Sequence, residues 1–487
     1  MMLRTRILAS VTPLALLAGC ATAGADYVPP TNAPAASYAA QPAGVISSDV
    51  ELRWWRSFDD PELDRLISRA LANNLDAKLA VARLEEARAL ARAARTQRLP
   101  SGGADASYQR RRLADVERFG TAPRDGNVFS VGADARWEAD LFGRVRRSVE
   151  AAEAEVGGAD ALLQSARAAV TADVASRYFD LRGAQAALRV AEASIANQRR
   201  SLDVTRRLTA AGAGARLDIV RAEAELRAVE ATVPDIRRGA AVARHALAVL
   251  LGEQPQGFAG PVASPSANLP EVTNIAVGTP SDLLRRRPDI RAAERALAAA
   301  SARAGAARAE LFPQVRLTGF IGLLAGSLGN LISGGALSFG AGPAVSWGVF
   351  DLPRLRAQVG AADARTEAAL VNYHSTVLGA LREVEDALVT YGAVRDEMAR
   401  LAARAEASRE AARLTGIGFR EGVGQYLDVL VAERSRVEAE AALVEAQAQH
   451  LLSVVGVYRA LGGGWEVCDL PGGPDCPNEL PERVGRR

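Results

Sequence analysis

Aromatic residues make up only 5% of this 487-residue chain, and histidine and cysteine occur three times each. His245, His374 and His450 are scattered over helical stretches without ligand spacing, which argues against a histidine metal centre and for packed or lumen-facing side chains. No glycine-rich loop precedes a Lys-Ser/Thr pair, and no Ser/His/Asp constellation can be assembled. The chain is therefore expected to be no enzyme and to hold no cofactor or metal. The formal net charge is +2, so the basic footprint that nucleic acid requires is missing. The apolar run Ile7–Ala18 is too short for a spanning helix.

That run suits a secretory signal instead, since Arg4 and Arg6 precede it, and 1–19 are read as a lipoprotein signal peptide. It ends in Leu17-Ala18-Gly19-Cys20, which resembles the bacterial lipobox, so Cys20 is the expected lipidation site and new N-terminus. An ordinary signal peptide with an incidental cysteine is the alternative. Ala21 follows rather than Asp, which by bacterial sorting rules implies the outer membrane, and several acyl chains would anchor the protein firmly. Residues 20–50, rich in Pro, Ala and Tyr, read as a lipidated flexible tether. Cys468 and Cys476 lie in a Gly/Pro-rich tail, 462–487, where an oxidising periplasm would permit a short-loop disulfide; two free thiols are the alternative.

The body of the chain is written twice. Gly212-Ala213-Gly214-Ala215-Arg216-Leu217-Asp218 returns as Gly422-Val423-Gly424-Gln425-Tyr426-Leu427-Asp428, and Trp137 returns as Trp347. The period is far longer than a solenoid unit, so one domain has been duplicated. The first copy, 51–251, reads as a helix from Pro61 to about Leu99, a β-hairpin 101–142, a long helix 144–211 and a return helix 217–251. A connecting, equatorial segment, 252–280, leads to the second copy, 281–461. That copy holds a helix, a hairpin 314–350, a long helix 354–421 and a return helix 427–461.

The hairpins carry period-two alternation. Val131, Ala133, Ala135 and Trp137 alternate with Ser130, Asp134, Arg136 and Glu138 along one strand. In the second copy Pro343 is expected to bend or interrupt its strand. A half-buried soluble sheet would alternate in the same way; the secretory and lipid signals favour membrane strands, and Trp137 and Trp347 then suit an interfacial aromatic belt. The long helices carry heptads, as in Val174, Leu181, Leu188, Ile195 and Leu202, which point to side-by-side coiled-coil packing. Arg285-Arg286-Arg287 reads as a solvated surface run.

Four strands in hydrocarbon cannot close, because every backbone donor must be paired and closure takes eight or more strands. Several protomers must then share one barrel, with the charged strand faces turned to a watery lumen and the long helices forming a tube below the membrane. Three motifs now become telling: Trp54-Trp55 with Phe58 and Asp60-Pro61, the run Trp137–Arg144, and Arg286-Arg287-Pro288-Asp289-Ile290. With the paired Gly-x-Gly-x-x-Leu-Asp turns, the chain resembles the TolC-like outer-membrane efflux ducts of the OprM/NodT lipoprotein branch over about residues 50–465.

The resemblance implies an internally duplicated α+β membrane protein, a homotrimer with a twelve-stranded barrel continuous with a periplasmic α-helical barrel. It implies a passive exit duct working with a periplasmic adaptor and an inner-membrane pump, usually of the RND class, in an outer membrane whose lipid it contacts. It assigns adaptor docking and gating to Gly212, Gly214, Leu217 and Asp218 with Gly422, Gly424, Leu427 and Asp428. Turn geometry alone is the alternative for each Gly, and a helix N-terminal charge for each Asp. Close relatives place acidic residues one turn further on, where this chain has Val431, with Glu433 nearby. The duct of a type I secretion system, or a pore-less periplasmic scaffold lipoprotein, are the competing functions. The substrate is not written in the sequence, since a wide lumen selects little.

Overall fold

The order Asp60-Pro61 dictates where the first helix starts. In the computed structural model, which describes residues 22–31, 33–117, 124–258, 269–469 and 476, the Asp60 carboxylate accepts from the N–H groups of Glu62 and Leu63 at 3.0 and 3.4 Å. Cys20 and the leader before it lie outside the described residues. In chain order the elements are β1 (Val45–Ile46), α1 (Pro61–Asn73), α2 (Leu75–Thr96), β2 (Ser101–Arg112), β3 (Asp125–Ala139), α3 (Arg144–Ala210) and α4 (Arg216–Leu250). Then come β4 (Ile275–Ala276), α5 (Pro280–Arg286), α6 (Pro288–Ala309), β5 (Gln314–Ala325), β6 (Leu337–Ser346), α7 (Leu352–Arg420) and α8 (Tyr426–Ala460). The described residues fall into two compact units: those within 22–31, 84–159 and 292–374 hold the larger sheet, and those within 33–83, 160–291 and 375–476 hold the helix turns.

The single helix expected from Pro61 to Leu99 is two helices. Asn74 interrupts it because its Oδ1 accepts from the N–H groups of Asp76 and Ala77 at 2.9 and 3.1 Å, capping α2. Its Nδ2 donates to the Leu250 carbonyl at 3.0 Å. The second copy repeats the break, with Thr279-Pro280 opening α5 as Asp60-Pro61 opens α1. The duplication is thus deeper than the motifs alone reveal.

Residues 33–50 are not a free tether. Tyr38 is buried, the N–H groups of Ala39 and Ala40 donate to Glu385 at 2.8 and 2.9 Å, and β1 pairs in parallel with β4. In the other unit Ala23 N–H donates to the Phe142 carbonyl at 2.9 Å and Tyr27 to Glu294 at 2.7 Å. Composition misled here, because sparse aromatic and backbone contacts suffice to fix an otherwise flexible sequence.

The core of the helix-turn unit forms around Trp54, Trp55 and Phe58, packed with Phe179, Leu388 and Val454. Trp54 lies stacked on Tyr458 with ring centroids 5.1 Å apart. Of the arginine run only Arg285 is exposed, which corrects the surface reading. Arg286 meets Glu466 at 2.7 Å, and buried Arg287 donates to Asp289, Glu383 and the Ala460 carbonyl. Carboxylates placed opposite make that burial tolerable. Cys468 and Cys476 are joined as a disulfide with Cα atoms 5.5 Å apart, packed against this core.

Of the three histidines His450 is buried, and His245 and His374 are exposed. Burial pushes the His450 pKa down; a 3.4 Å contact with the Val272 carbonyl opposes this and Arg395 adds to it. The unfolded chain therefore binds a proton that the folded one refuses, so this contribution is intact above about pH 6.5 and lost as pH falls below it. Denaturant melts of the detergent-solubilised protein should weaken by at most about 1.4 kcal/mol per pH unit from this group below that point. His450→Gln should flatten the dependence.

Candidate functional site

Strand register builds the first part of the site. β2 pairs with β3, β3 with β5 and β5 with β6, all antiparallel, so the two hairpins merge into one four-stranded sheet. Directly opposed residues share a face. The rows Ala106–Val131–Leu323–Leu337 and Ala104–Ala133–Ile321–Phe339 therefore run apolar across all four strands. Between them the alternate rows are polar at their first-copy ends: Ser107–Ser130, Asp105–Gly132, and Ser101–Arg136–Thr318. Arg136 pairs with Asp134 at 3.1 Å, and Arg144 grips Glu138 with two bonds of 2.9 Å. Phe320 and Leu324 break the pattern on this face. Pro343 does not interrupt β6; it sits opposite Leu317 in an edge strand, where a missing N–H is tolerated.

Trp137 and Trp347 do the same job in each copy. The Trp137 indole N–H donates to the Arg98 carbonyl at 3.0 Å, and that of Trp347 to the Leu311 carbonyl at 3.1 Å. Each ties the end of a strand to the end of the helix that precedes its hairpin. Trp137→Phe and Trp347→Phe should each lower the stability of the sheet unit by about 1 kcal/mol, additively, in thermal melts. Both rings remain partly exposed, at 39% and 53%.

The turns between long and return helices form the second part. Gly212 and Gly422 have φ of +80° and +76°, a region that a Cβ disfavours. Each ends its helix with paired bonds: Ala213 N–H to the Leu208 carbonyl with Gly212 to Thr209, and Val423 to Gly418 with Gly422 to Phe419. These two glycines are thus explained by turn geometry. Gly214 is needed for space, since a Cβ there would meet Thr209 Oγ1 at 2.9 Å, whereas Gly424 is less confined. Leu217 and Leu427 are exposed, at 55% and 43%. Asp218 lies 3.8 Å from Arg221, and the Asp428 carboxylate accepts from Gln425 N–H at 3.3 Å, each at the start of its return helix.

The fold brings the two turns together around a surface cavity of about 570 Å³ that includes Gly212, Asp218, Gly424 and Leu427. Tyr426 is the residue that sequence reasoning missed. It is buried with Leu202, Leu226 and Leu430, shares a 3.1 Å hydrogen bond with Ser201, and meets Phe419 at 5.5 Å. A signal was present, because the equivalent residue of the first copy is Arg216, so the copies place a charge and an aromatic ring at the same turn position. Beyond the turn, Val431 is exposed and Glu433 is neutralised by Arg436 at 2.8 Å. Among the described residues no group of His, Cys, Asp and Glu could hold a metal ion, and no helix is long and apolar enough to cross a membrane.

The family model described as "Outer membrane efflux protein" aligns with residues 66–253 and 279–463, one stretch per copy. The outer membrane protein OprJ of Pseudomonas aeruginosa is 34% identical over 455 residues, covering 93% of this chain and 95% of its own. Among solved structures, the outer-membrane channel OprN superposes with a TM-score of 0.85 at 40% identity, covering 91% of this chain and 99% of that one. The open-state MtrE outer membrane channel of Neisseria gonorrhoeae gives 0.81 at 32% identity, over 91% and 98%.

Proposed function

The chain belongs to the outer membrane efflux protein family, and we infer that it is the passive exit duct of a tripartite efflux pump, standing in the outer membrane and reaching into the periplasm. One observation carries this reading: a four-stranded sheet with one apolar face, one largely polar face and β2 and β6 left as edges. In lipid such edges need partners, and three copies would supply a closed twelve-stranded barrel. The apolar rows would then meet lipid, with Trp137 and Trp347 at one interface, and Asp134, Arg136 and Glu138 would line water. The long helices α3 and α7 would continue the conduit as a helical tunnel.

The paired turns are the end offered to a periplasmic adaptor, with an inner-membrane RND pump supplying the energy. Exposed Leu217 and Leu427 flanking a cavity suit docking, and the absence of an acidic residue at Val431 argues against an acidic ring as the gate. Cys20 is the proposed lipid anchor. Labelling cells with radioactive palmitate should mark the wild type but not Cys20→Ala, and equal labelling would refute it.

Purified protein should appear in electron micrographs as a threefold ring and give small or transient openings in planar bilayers. A stable monomer without current would instead fit a scaffold. Deleting the gene should sensitise cells to at least one class in a panel of drugs, dyes and metals.

A further inference from the structure

The apolar face of the first hairpin ends in cations. Along β2 the row Ala104, Ala106, Tyr108 continues as Arg110 and Arg112, which lie on that same face opposite Asn127 and Asp125. Arg111 lies on the other face. Tyr108 and Phe129, one row short of Arg110, pair at 4.8 Å, and the Tyr108 hydroxyl donates to Asn127 Oδ1 at 3.2 Å. An aromatic pair with its polar group turned toward the row beyond is the usual chemistry of a membrane interface.

Distance supports the same placement. Asn127 is ten residues from Trp137 along β3, about 34 Å of strand, which a tilt of about 40° reduces to about 26 Å, close to the apolar band of an outer-membrane barrel. Trp137 stands at the helix end of the sheet, so Arg110 stands at the headgroup level of the far leaflet. Both arginines are exposed. Asp125 is 3.9 Å from Arg112 and partly offsets it, whereas Arg110 makes no ion pair among the described residues. The second hairpin places no charge near this level: Ala325 faces Phe129, and exposed Leu328 and Ile332 follow.

We propose that Arg110 and Arg112 form a binding site for the phosphate groups of anionic lipid in the outer leaflet, repeated once per protomer. The inference rests on the duct reading, which sets the lipid-facing side and the exterior end. A guanidinium matches a phosphate with parallel N–H bonds, and at the edge of the hydrocarbon it is screened little by water. The site would hold the barrel at fixed depth on the side opposite the tryptophans.

Native mass spectrometry of the full-length trimer in detergent tests this, with lipid A, dephosphorylated lipid A and inorganic phosphate as probes. Two basic groups, one partly offset, should give the wild type about tenfold tighter retention of lipid A than the Arg110→Gln/Arg112→Gln variant. Arg111→Gln should retain it like the wild type. The double Lys variant should fall between the wild type and the Gln variant, because an ammonium keeps the charge but loses the parallel bonds. The dephosphorylated lipid should bind the wild type as weakly as lipid A binds the Gln variant. Equal retention by wild type and the double Gln variant, with trimers present, overturns the inference alone. Displacement by inorganic phosphate at the lipid's own concentration also overturns it, since the site would then serve a free anion. Failure of the wild type to form trimers overturns the duct reading and this inference with it.

Discussion

Val131→Arg should abolish assembly in the outer membrane, while Ser130→Arg, its immediate neighbour, should leave assembly intact. Val131 occupies the apolar row with Ala106, Leu323 and Leu337, and Ser130 points to the other face, where its hydroxyl meets Ser107 at 2.8 Å. An arginine facing lipid near the bilayer midplane costs about 2–4 kcal/mol. A trimer would incur that three times, enough to leave few closed barrels. An arginine on the watery side forfeits one exposed hydroxyl contact. Heat-resistant trimer on gels, the outer-membrane fraction and drug susceptibility should all separate the two variants. Equal behaviour would mean that the two faces have been assigned to the wrong environments or that the sheet is not in lipid at all.

Arg287→Ala should lower the stability of the helix-turn unit by about 3 kcal/mol, the low end expected for breaking a buried ion pair. The guanidinium side chain is 9% exposed and sits against Asp289 at 2.6 Å and Glu383 at 2.8 Å, with a 2.7 Å bond to the Ala460 carbonyl. Burial works against its charge, but Asp289 and then Glu383 outweigh burial and hold its pKa above the ordinary value. Truncation would leave two facing carboxylates without a cation. The low end applies because both acids keep part of their solvent. Arg287→Lys should recover only part, since one ammonium replaces a fork that binds two carboxylates and a carbonyl. Denaturant melts measure the difference, and a loss below about 1 kcal/mol would show the cluster to be incidental.

Arg287 also marks where reading the sequence failed. As Arg285-Arg286-Arg287 the run has the look of solvated charge, and its partners Glu383 and Glu466 lie about 95 and 180 residues away. No local pattern announces a contact at that separation. Asn74 was missed for the opposite reason: a polar residue in a helical pattern is tolerated at the surface, and only its bonds to Asp76, Ala77 and Leu250 reveal a break. The segment 33–50 misled because Pro and Ala describe what a chain does alone, whereas Glu385 and β4 supply partners from elsewhere.

The sequence by itself determined the duplication, the strand faces, the two uninterrupted helices and the glycine turns that end them. Each follows from periodicity or steric need within one element: two residues per pleat, seven per pair of helical turns, a missing Cβ at positive φ. Only the tertiary structure decided that β3 joins β5, that the turns of the two copies line one cavity, that Tyr426 meets Ser201, and that Arg287 is buried. Those depend on which distant faces meet, and the free energy that selects them is spread over contacts that no short stretch of sequence contains.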